Sequence, residues 1–483
     1  MPKIKPKKIQ APKGMKDILP EERYFWNHVF KKSTPVIEDY GFREIVLPVV
    51  EKTDLFIRSV GKNTDIVEKE MYSFKTRGGD MLSLRPEFTA GTLRAYIENG
   101  MHVKPHPVRL WSSGPLFRHD NPQYGRQRQF HQLNVESIGD EDAVVDAEMI
   151  FMAYRVLQAI GLKGMIVKIN SIGDDSCRPQ YIKTLKDFYR NKTKKICVKC
   201  RNRLKSNPLR VLDCMEDTCK EVAKEAPTIV DSLDSTCKKH FTSVLEFLDE
   251  TGVPYLLDPH LVRGLDYYTR TVFEFVPEGA GEAEEVGEVV IKDDSSEIKD
   301  DLKTEENIDE NENKDGQEDN NNNDDNKNKK NNKPSVPNLA VISGGRYDKL
   351  IEYLGGPKTP AIGWAMGIER VVLLMKAMGV NVSKPRSNAK VFLAQLSEAG
   401  RRKGLILFDE LRKSSIAVKS SFGRDSIKSQ LRIAAKMEIP YTLIVGQKEA
   451  LEGTVILREM NTGIQETIPT EKIIRVLKKK IKK

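Results

Sequence analysis

The sequence predicts an α+β fold in more than one domain, and three observations carry that expectation. Residues 114–136 read as strand, long hairpin loop, strand, because apolar or aromatic residues flank a loop marked by Asn121-Pro122 and Gly125. Residues 174–258 read as polar helices. After Ser387, strand-like runs at 390–394, 416–419 and 441–445 alternate with helices such as 426–437, the pattern of a small α/β domain. A chain of 483 residues is too long for one ordinary core, so two or three domains are expected.

Taken in order, the elements begin with a helix over residues 22–40. Pro35 falls inside it and should kink it or start a second helix. Next comes Ser83-Leu-Arg85-Pro86-Glu87-Phe-Thr89, leading into a helix that ends near Asn99-Gly100. Pro86 biases Arg85 toward extended backbone, so the Glu87 carboxylate sits at a strand-to-helix turn. There it could hold a ligand ammonium or imidazolium, or Glu87 and Thr89 could simply complement and cap the helix. His102 and His106, separated by Pro105, do not make a helical ligand pair.

On the hairpin, Arg118, Arg126 and Arg128 converge on the loop that also carries Gln123. Gln132 and Glu136 are an even number of residues apart and share one face of the returning strand. Three arginines with a glutamine and a glutamate suit a polyphosphate plus a polar ligand, whereas any single arginine here would read as a solvated loop. Farther on, Arg263 and the pair Tyr267-Tyr268 precede an alternating strand at 271–275. A rigid guanidinium fork beside two flat, hydroxyl-tipped walls suggests a site for an anion and a small polar ring together. In Ala361-Ile-Gly363-Trp-Ala-Met-Gly367-Ile-Glu369-Arg370, small residues lead into an apolar helix. Gly363 and Gly367 should let another group approach the backbone closely, and Arg370 could lie flat over a purine.

Cys197-x2-Cys200 followed by Cys214-x4-Cys219 is compatible with four thiolates around zinc, although free cytosolic thiols are the favoured reading. Cys177 and Cys237 read as ordinary core or surface residues. No apolar run reaches membrane-spanning length. Residues 1–8 are lysine-rich, without the apolar stretch of a secretory signal or the arginine and serine of a transit peptide, which points to a cytoplasmic protein. Residues 278–338 hold 20 Asp and Glu against 8 Lys, so the rest of the chain carries +21 although the whole carries +9. A body that basic favours a polyanionic partner. The acidic, asparagine-rich stretch itself has almost nothing to bury and reads as a disordered loop.

In this order the segments resemble the signature motifs of class II aminoacyl-tRNA synthetases, most closely the histidyl-tRNA synthetase family. The first motif resembles Tyr40-Gly-Phe-Arg-Glu-Ile-Val-Leu-Pro48, the second Phe117 to Glu136, and the third Gly363 to Arg370. Leu261-Val-Arg-Gly-Leu-Asp-Tyr-Tyr268 and Ser343-Gly-Gly-Arg346-Tyr347-Asp resemble segments particular to the histidine enzyme. The likeness spans nearly the whole chain except 278–338, where the family has a short connection.

The resemblance implies a catalytic domain, an antiparallel sheet flanked by helices, at 1–174 and 259–384. It implies a helical insertion at 175–258 and an anticodon-contacting α/β domain at 388–483. It also implies a homodimer, through the first motif, and ATP-dependent ligation of L-histidine to tRNA(His) through histidyl-adenylate, with Mg²⁺ accompanying ATP. Arg118 and Arg263 would flank the α-phosphate, while Arg126 and Arg370 would meet the phosphate tail and adenine. Glu87, Thr89 and Gln132 would hold the histidine ammonium, and Glu136, Tyr267 and Tyr268 would read its imidazole. Gln123 and Arg128 would touch the tRNA acceptor end. Two rivals share the fold. One is a silent paralogue regulating histidine biosynthesis, which typically lacks these arginines and the C-terminal domain. The other is a class II synthetase for another amino acid, against which the Arg263–Tyr268 segment argues.

Overall fold

The computed structural model describes residues 9–62, 64–278, 339–384, 389–423 and 426–481. The low-complexity stretch expected to be disordered therefore lies outside the described residues, apart from Glu278, as does the lysine-rich start. The chain divides into two units, Met1–Val382 and Ser383–Lys483.

The first unit opens with α1 (Pro20–Asp39), β1 (Arg43–Glu44), β2 (Val50–Lys52), α2 (Thr53–Val60), β3 (Ser73–Lys75), β4 (Met81–Leu84) and α3 (Thr89–Glu98). The hairpin β5 (Val108–Phe117) and β6 (Gln129–Ile138) follows, then α4 (Ala143–Ile160) and β7 (Met165–Ser171). Next come α5 (Arg178–Arg190), α6 (Val198–Ser206), α7 (Asp217–Lys224), α8 (Ser235–Thr251) and β8 (Tyr255–Leu257). The unit closes with β9 (Thr269–Pro277), β10 (Ile342–Arg346), α9 (Leu350–Tyr353), β11 (Ala361–Gly367) and α10 (Ile368–Ala377).

Eight of these strands form one sheet in the order β1-β5-β6-β11-β10-β9-β7-β8. It is antiparallel except at its two outer pairs, β1–β5 and β7–β8. Both faces of its central strands are covered, one of them carrying polar residues such as Gln132, Asn134 and Glu274 toward a cavity. Along β9, Phe273 and Phe275 enter the core shared with α1, α4, α8 and α10, while Val272 enters the core shared with α3 and α5. Fully burying each such side chain contributes about 1.5–3 kcal/mol. The helix α4 is fixed at its start by the Asp142 carboxylate, which accepts from Val144 N at 3.0 Å, and stopped by left-handed Gly161.

Two expectations need correction. Pro35 does not start a second helix: α1 runs through it as one element, because Val29, Ser33 and Ile37 keep one stripe buried against the core. Nor is the whole of 175–258 a separate helical insertion. The stripe Cys237, Phe241, Val244 and Leu248 on α8 is too large an apolar face to leave alone. Phe241, Val244 and Leu248 of that stripe pack in the main core with α4, and β8 extends the main sheet beside β7. Helices α5–α7 pack in the core on the sheet's other face, with Leu110, Ile138 and Val272.

The second unit comprises β12 (Val391–Gln395), α11 (Ser397–Lys413), β13 (Val418–Ser420), α12 (Ile427–Lys436), β14 (Tyr441–Val445), α13 (Gln447–Glu452), β15 (Thr454–Glu459), β16 (Gln465–Pro469) and α14 (Thr470–Ile481). Its sheet runs β13-β12-β14-β15-β16, parallel through the first three and antiparallel beyond. The α/β alternation read from the sequence holds, and Ser426 caps α12 by accepting from Ser429 N at 3.4 Å.

Candidate active site

Pro86 ends the extended backbone after β4, and α3 begins three residues later. The Glu87 carboxylate accepts from Thr89 N at 2.6 Å and Ala90 N at 2.8 Å. The capping role anticipated for it is therefore real, and it fixes the carboxylate at the wall of a large cavity. Burial raises the Glu87 pKa, against the two amides and Arg118. Arg85, by contrast, is structural: it donates to Leu47 O at 2.8 Å and Pro115 O at 3.0 Å.

The register of β6 against β11 sets the floor. Gly363 lies opposite Glu136, and Gly367 opposite Gln132. A Cβ on Gly363 would sit 1.6 Å from Glu136 Oε2, so the close approach expected there is that of the glutamate itself. At Gly367 a Cβ would meet nothing nearer than Arg370 at 3.6 Å, and the glycine lines the cavity. Glu136 accepts from Thr89 Oγ1 at 2.6 Å, from Asn134 Nδ2 at 2.7 Å and from the Tyr347 hydroxyl. Burial pushes its pKa up to about 7, although those three donors pull it down.

The cavity, about 580 Å³, is lined by Glu87, Thr89, Arg118, Arg126, Gln132, Arg263, Tyr267, Tyr268 and Arg370. Nine of the twelve residues picked out from the sequence thus meet in one place. Glu136 lies directly beneath the lining rather than on it, while Gln123 and Arg128 stay on the hairpin loop, where Arg128 Nε donates to Asp120 O at 3.1 Å.

Three of the four guanidiniums are anchored from behind, whereas Arg126 is half-exposed beside Asp120. Arg118 Nε donates to Pro86 O at 2.9 Å and the group lies 5.3 Å from the Phe130 ring centre. Arg370 donates to Gly125 O at 3.1 Å and Ala340 O at 2.9 Å. Arg263 pairs with Glu274 and lies 5.6 Å from the Tyr268 ring centre. Burial opposes the charge on Arg263, but Glu274, Tyr268 and Tyr267 outweigh it, and its pKa stays above the ordinary range. The Arg370 pKa is lowered, first by burial and next by the repulsion of Arg126, with Arg118 and Arg263 adding to it. Four guanidiniums gathered at one cavity, with Arg370 repelled by the other three, are suited to a polyanion.

Sequence reasoning missed Glu274, Ser343 and Tyr347 as cavity residues. Ser343 lies opposite Glu274 across β10–β9 and donates to it at 3.2 Å. Tyr347 lay in a segment already noted, and Glu274 shares its strand face with Arg270 by parity; neither signal says what lies across the sheet.

The family model for histidyl-tRNA synthetase matches residues 14–287, and that for the anticodon binding domain residues 390–480. The histidine–tRNA ligase of Caldicellulosiruptor saccharolyticus is 38% identical over 98% of this chain and 100% of its own length. The chain belongs to the histidyl-tRNA synthetase family. The histidine–tRNA ligase of Dehalococcoides mccartyi strain 195 is 39% identical over 98% of this chain and 100% of its own length. Among solved structures, apo histidyl-tRNA synthetase of Staphylococcus aureus superposes with a TM-score of 0.68 at 30% identity, covering 97% of this chain and 99% of its own. The class II synthetase fold expected from the motifs is therefore the fold of this family, with the antiparallel-rich sheet in the first unit and the separate sheet in the second. A Bacillus halodurans protein described as an ATP phosphoribosyltransferase regulatory subunit/histidyl-tRNA synthetase shares the fold, at 20% identity and a TM-score of 0.56.

Proposed function

We propose that this chain joins L-histidine to tRNA(His) in two steps, using ATP with its Mg²⁺ as substrate. A histidine carboxylate oxygen attacks the α-phosphorus, forming histidyl-adenylate and releasing pyrophosphate. A hydroxyl of the terminal tRNA ribose then attacks the acyl carbon, and AMP leaves. The observation that carries this reading is that one cavity is lined both by four guanidiniums and by a buried carboxylate, an amide and two tyrosines. No protein nucleophile is required, because displacement at phosphorus depends on positioning and charge neutralisation.

In this reading Arg118 and Arg263 flank the α-phosphate, their anchors holding them ready before substrate arrives. Arg126 and Arg370 receive the phosphate tail and adenine. Glu87 meets the substrate ammonium, helped by Thr89 and Gln132. Tyr267 and Tyr268 form a wall for the imidazole, and Glu136 reads it by exchanging one of its three present donors for the ring N–H. Gln123 and Arg128, off the cavity on the hairpin loop, face the acceptor end. The second unit, matched by the anticodon-binding family, reads the far end of the tRNA.

A homodimer accompanies this proposal, supported by the first motif and by Val46, Val49, Val50, Phe74 and Met81, apolar side chains left exposed around β2–β4. Light scattering should give twice the chain mass. A cytoplasmic location also fits; no helix among the described residues is long and apolar enough to cross a membrane.

The deciding experiment is amino-acid-dependent pyrophosphate exchange across the twenty amino acids, followed by charging of tRNA(His). Exchange with histidine alone, and histidyl-tRNA formed, is the expected result. Exchange with a different amino acid would reassign the pocket, and none at all would favour the silent regulatory paralogue.

A further inference from the structure

We propose that Cys197, Cys200, Cys214 and Cys219 bind one structural zinc ion, which closes the α6–α7 segment against the side of the cavity. The spacing alone left free thiols the better reading, and the three-dimensional arrangement reverses that preference. The four Sγ atoms all lie within 4.8 Å of one another, although they come from the start of α6, the loop after it and the first turn of α7. A tetrahedral zinc with Zn–S bonds of about 2.3 Å requires sulfurs roughly 3.8 Å apart. Cys197 Sγ and Cys214 Sγ are 3.9 Å apart, already at that separation. The cysteines also carry the backbone donors that thiolates attract: Cys197 N donates to Cys219 Sγ at 3.2 Å, and Cys200 N to Cys197 Sγ at 3.4 Å.

The segment has reason to need a clamp. Between Asn191 and Glu216 it is short helices and turns, whose hold on the core besides the cysteines comes from Ile196, Val211 and Leu212, with Leu204 and Leu209 beside them. Yet it brings Arg203 and Arg210 to Asp65, at 3.1 and 3.2 Å, on the cavity wall, and Cys197 and Cys214 line that wall themselves. A second group of potential ligands, Asp174, Cys177, Asp234 and Cys237, does not compete. Asp234 is occupied capping α8 by accepting from Cys237 N at 2.7 Å, and Asp174 accepts from Ser176 N at 2.9 Å. Local hydrogen bonding explains that cluster without a metal.

The test uses the full chain, purified without chelator and analysed by plasma mass spectrometry. About one zinc per chain is expected. Cobalt exchanged into the chelated protein should give the thiolate charge-transfer band and the visible bands of tetrahedral cobalt. Cys197→Ser with Cys214→Ser, the two half-buried ligands, should bring bound zinc close to zero, while Cys177→Ser with Cys237→Ser should leave it at one. Because the first pair could simply unfold, a second measurement stands apart from mutation. In the native protein, mercurial titration of thiols should release zinc in proportion to four thiols modified. Protein that holds no zinc and takes none up on dialysis against it would overturn the proposal. So would zinc that follows Cys177 and Cys237, or a disulfide within the four.

Discussion

Arg346 and Arg263 each sit beside a carboxylate near the tyrosines of the site, and they end in opposite situations. Arg346 is fully buried and saturated: it donates to Asp146 and, at 3.0 and 3.1 Å, to Asp140 O and Asp348. Those partners outweigh the burial that opposes its charge, and its pKa is raised. Arg263 has one carboxylate behind it and the cavity in front. The difference teaches that a guanidinium acts on a ligand only where the protein leaves part of its fork unmatched. The first arginine tethers β10 to the start of α4; the second, in the proposed reaction, is held for the substrate phosphate.

The sharpest way to break this comparison is to delete both. Arg346→Ala should cost about 5 kcal/mol, since it leaves the buried Asp146 charge unpaired. Urea denaturation measures it, and a loss under 1 kcal/mol would mean that Arg346 is not structural. Arg263→His should leave the urea midpoint nearly unchanged and slow adenylate formation on the order of 10³-fold, about 4 kcal/mol. Pyrophosphate-exchange kinetics read this, and an unchanged rate would remove Arg263 from the chemistry.

Two smaller effects sharpen the contrast on the histidine side. Gly363→Ala should destabilise by about 2 kcal/mol, because its methyl group collides with Glu136. The histidine KM should rise with it; a normal KM would show that Glu136 can move without consequence. Glu136→Gln should raise the histidine KM roughly tenfold above pH 7. Because burial lifts the Glu136 pKa to about 7, the wild-type KM should fall as pH rises through that value, while the Gln variant shows no such step. Histidine's own titration is common to both proteins and cancels in the comparison. The sign for stability runs the other way. A raised carboxyl pKa favours the neutral form in the fold, so this group's contribution is complete below about pH 4.5 and is lost as pH climbs to about 7. A Gln variant whose stability kept the wild-type slope over that range would contradict it.

Much of the fold could be read from local pattern. The β5–β6 hairpin, the α3 helix with its stop at Asn99-Gly100, and β14 at Tyr441–Val445 emerged because their turns and periodicity are written in adjacent residues. The α8 helix was assigned to the wrong body because an amphipathic stripe announces that it is buried but not against what. The same reason hid Tyr347, which reaches Glu136 from 211 residues away. It also made Gly367 look like Gly363, although only the second has a side chain lying across it.

The order of residues along the chain was enough to determine the periodicity of the elements, the basic body around an acidic insert, and a set of arginines and carboxylates of the kinds that suit a polyanion and a small polar ligand. Tertiary structure alone decided which of those charges are spent on the protein itself. Pairing and desolvation depend on the strand register and the packing of distant segments, and those distances are not functions of sequence separation.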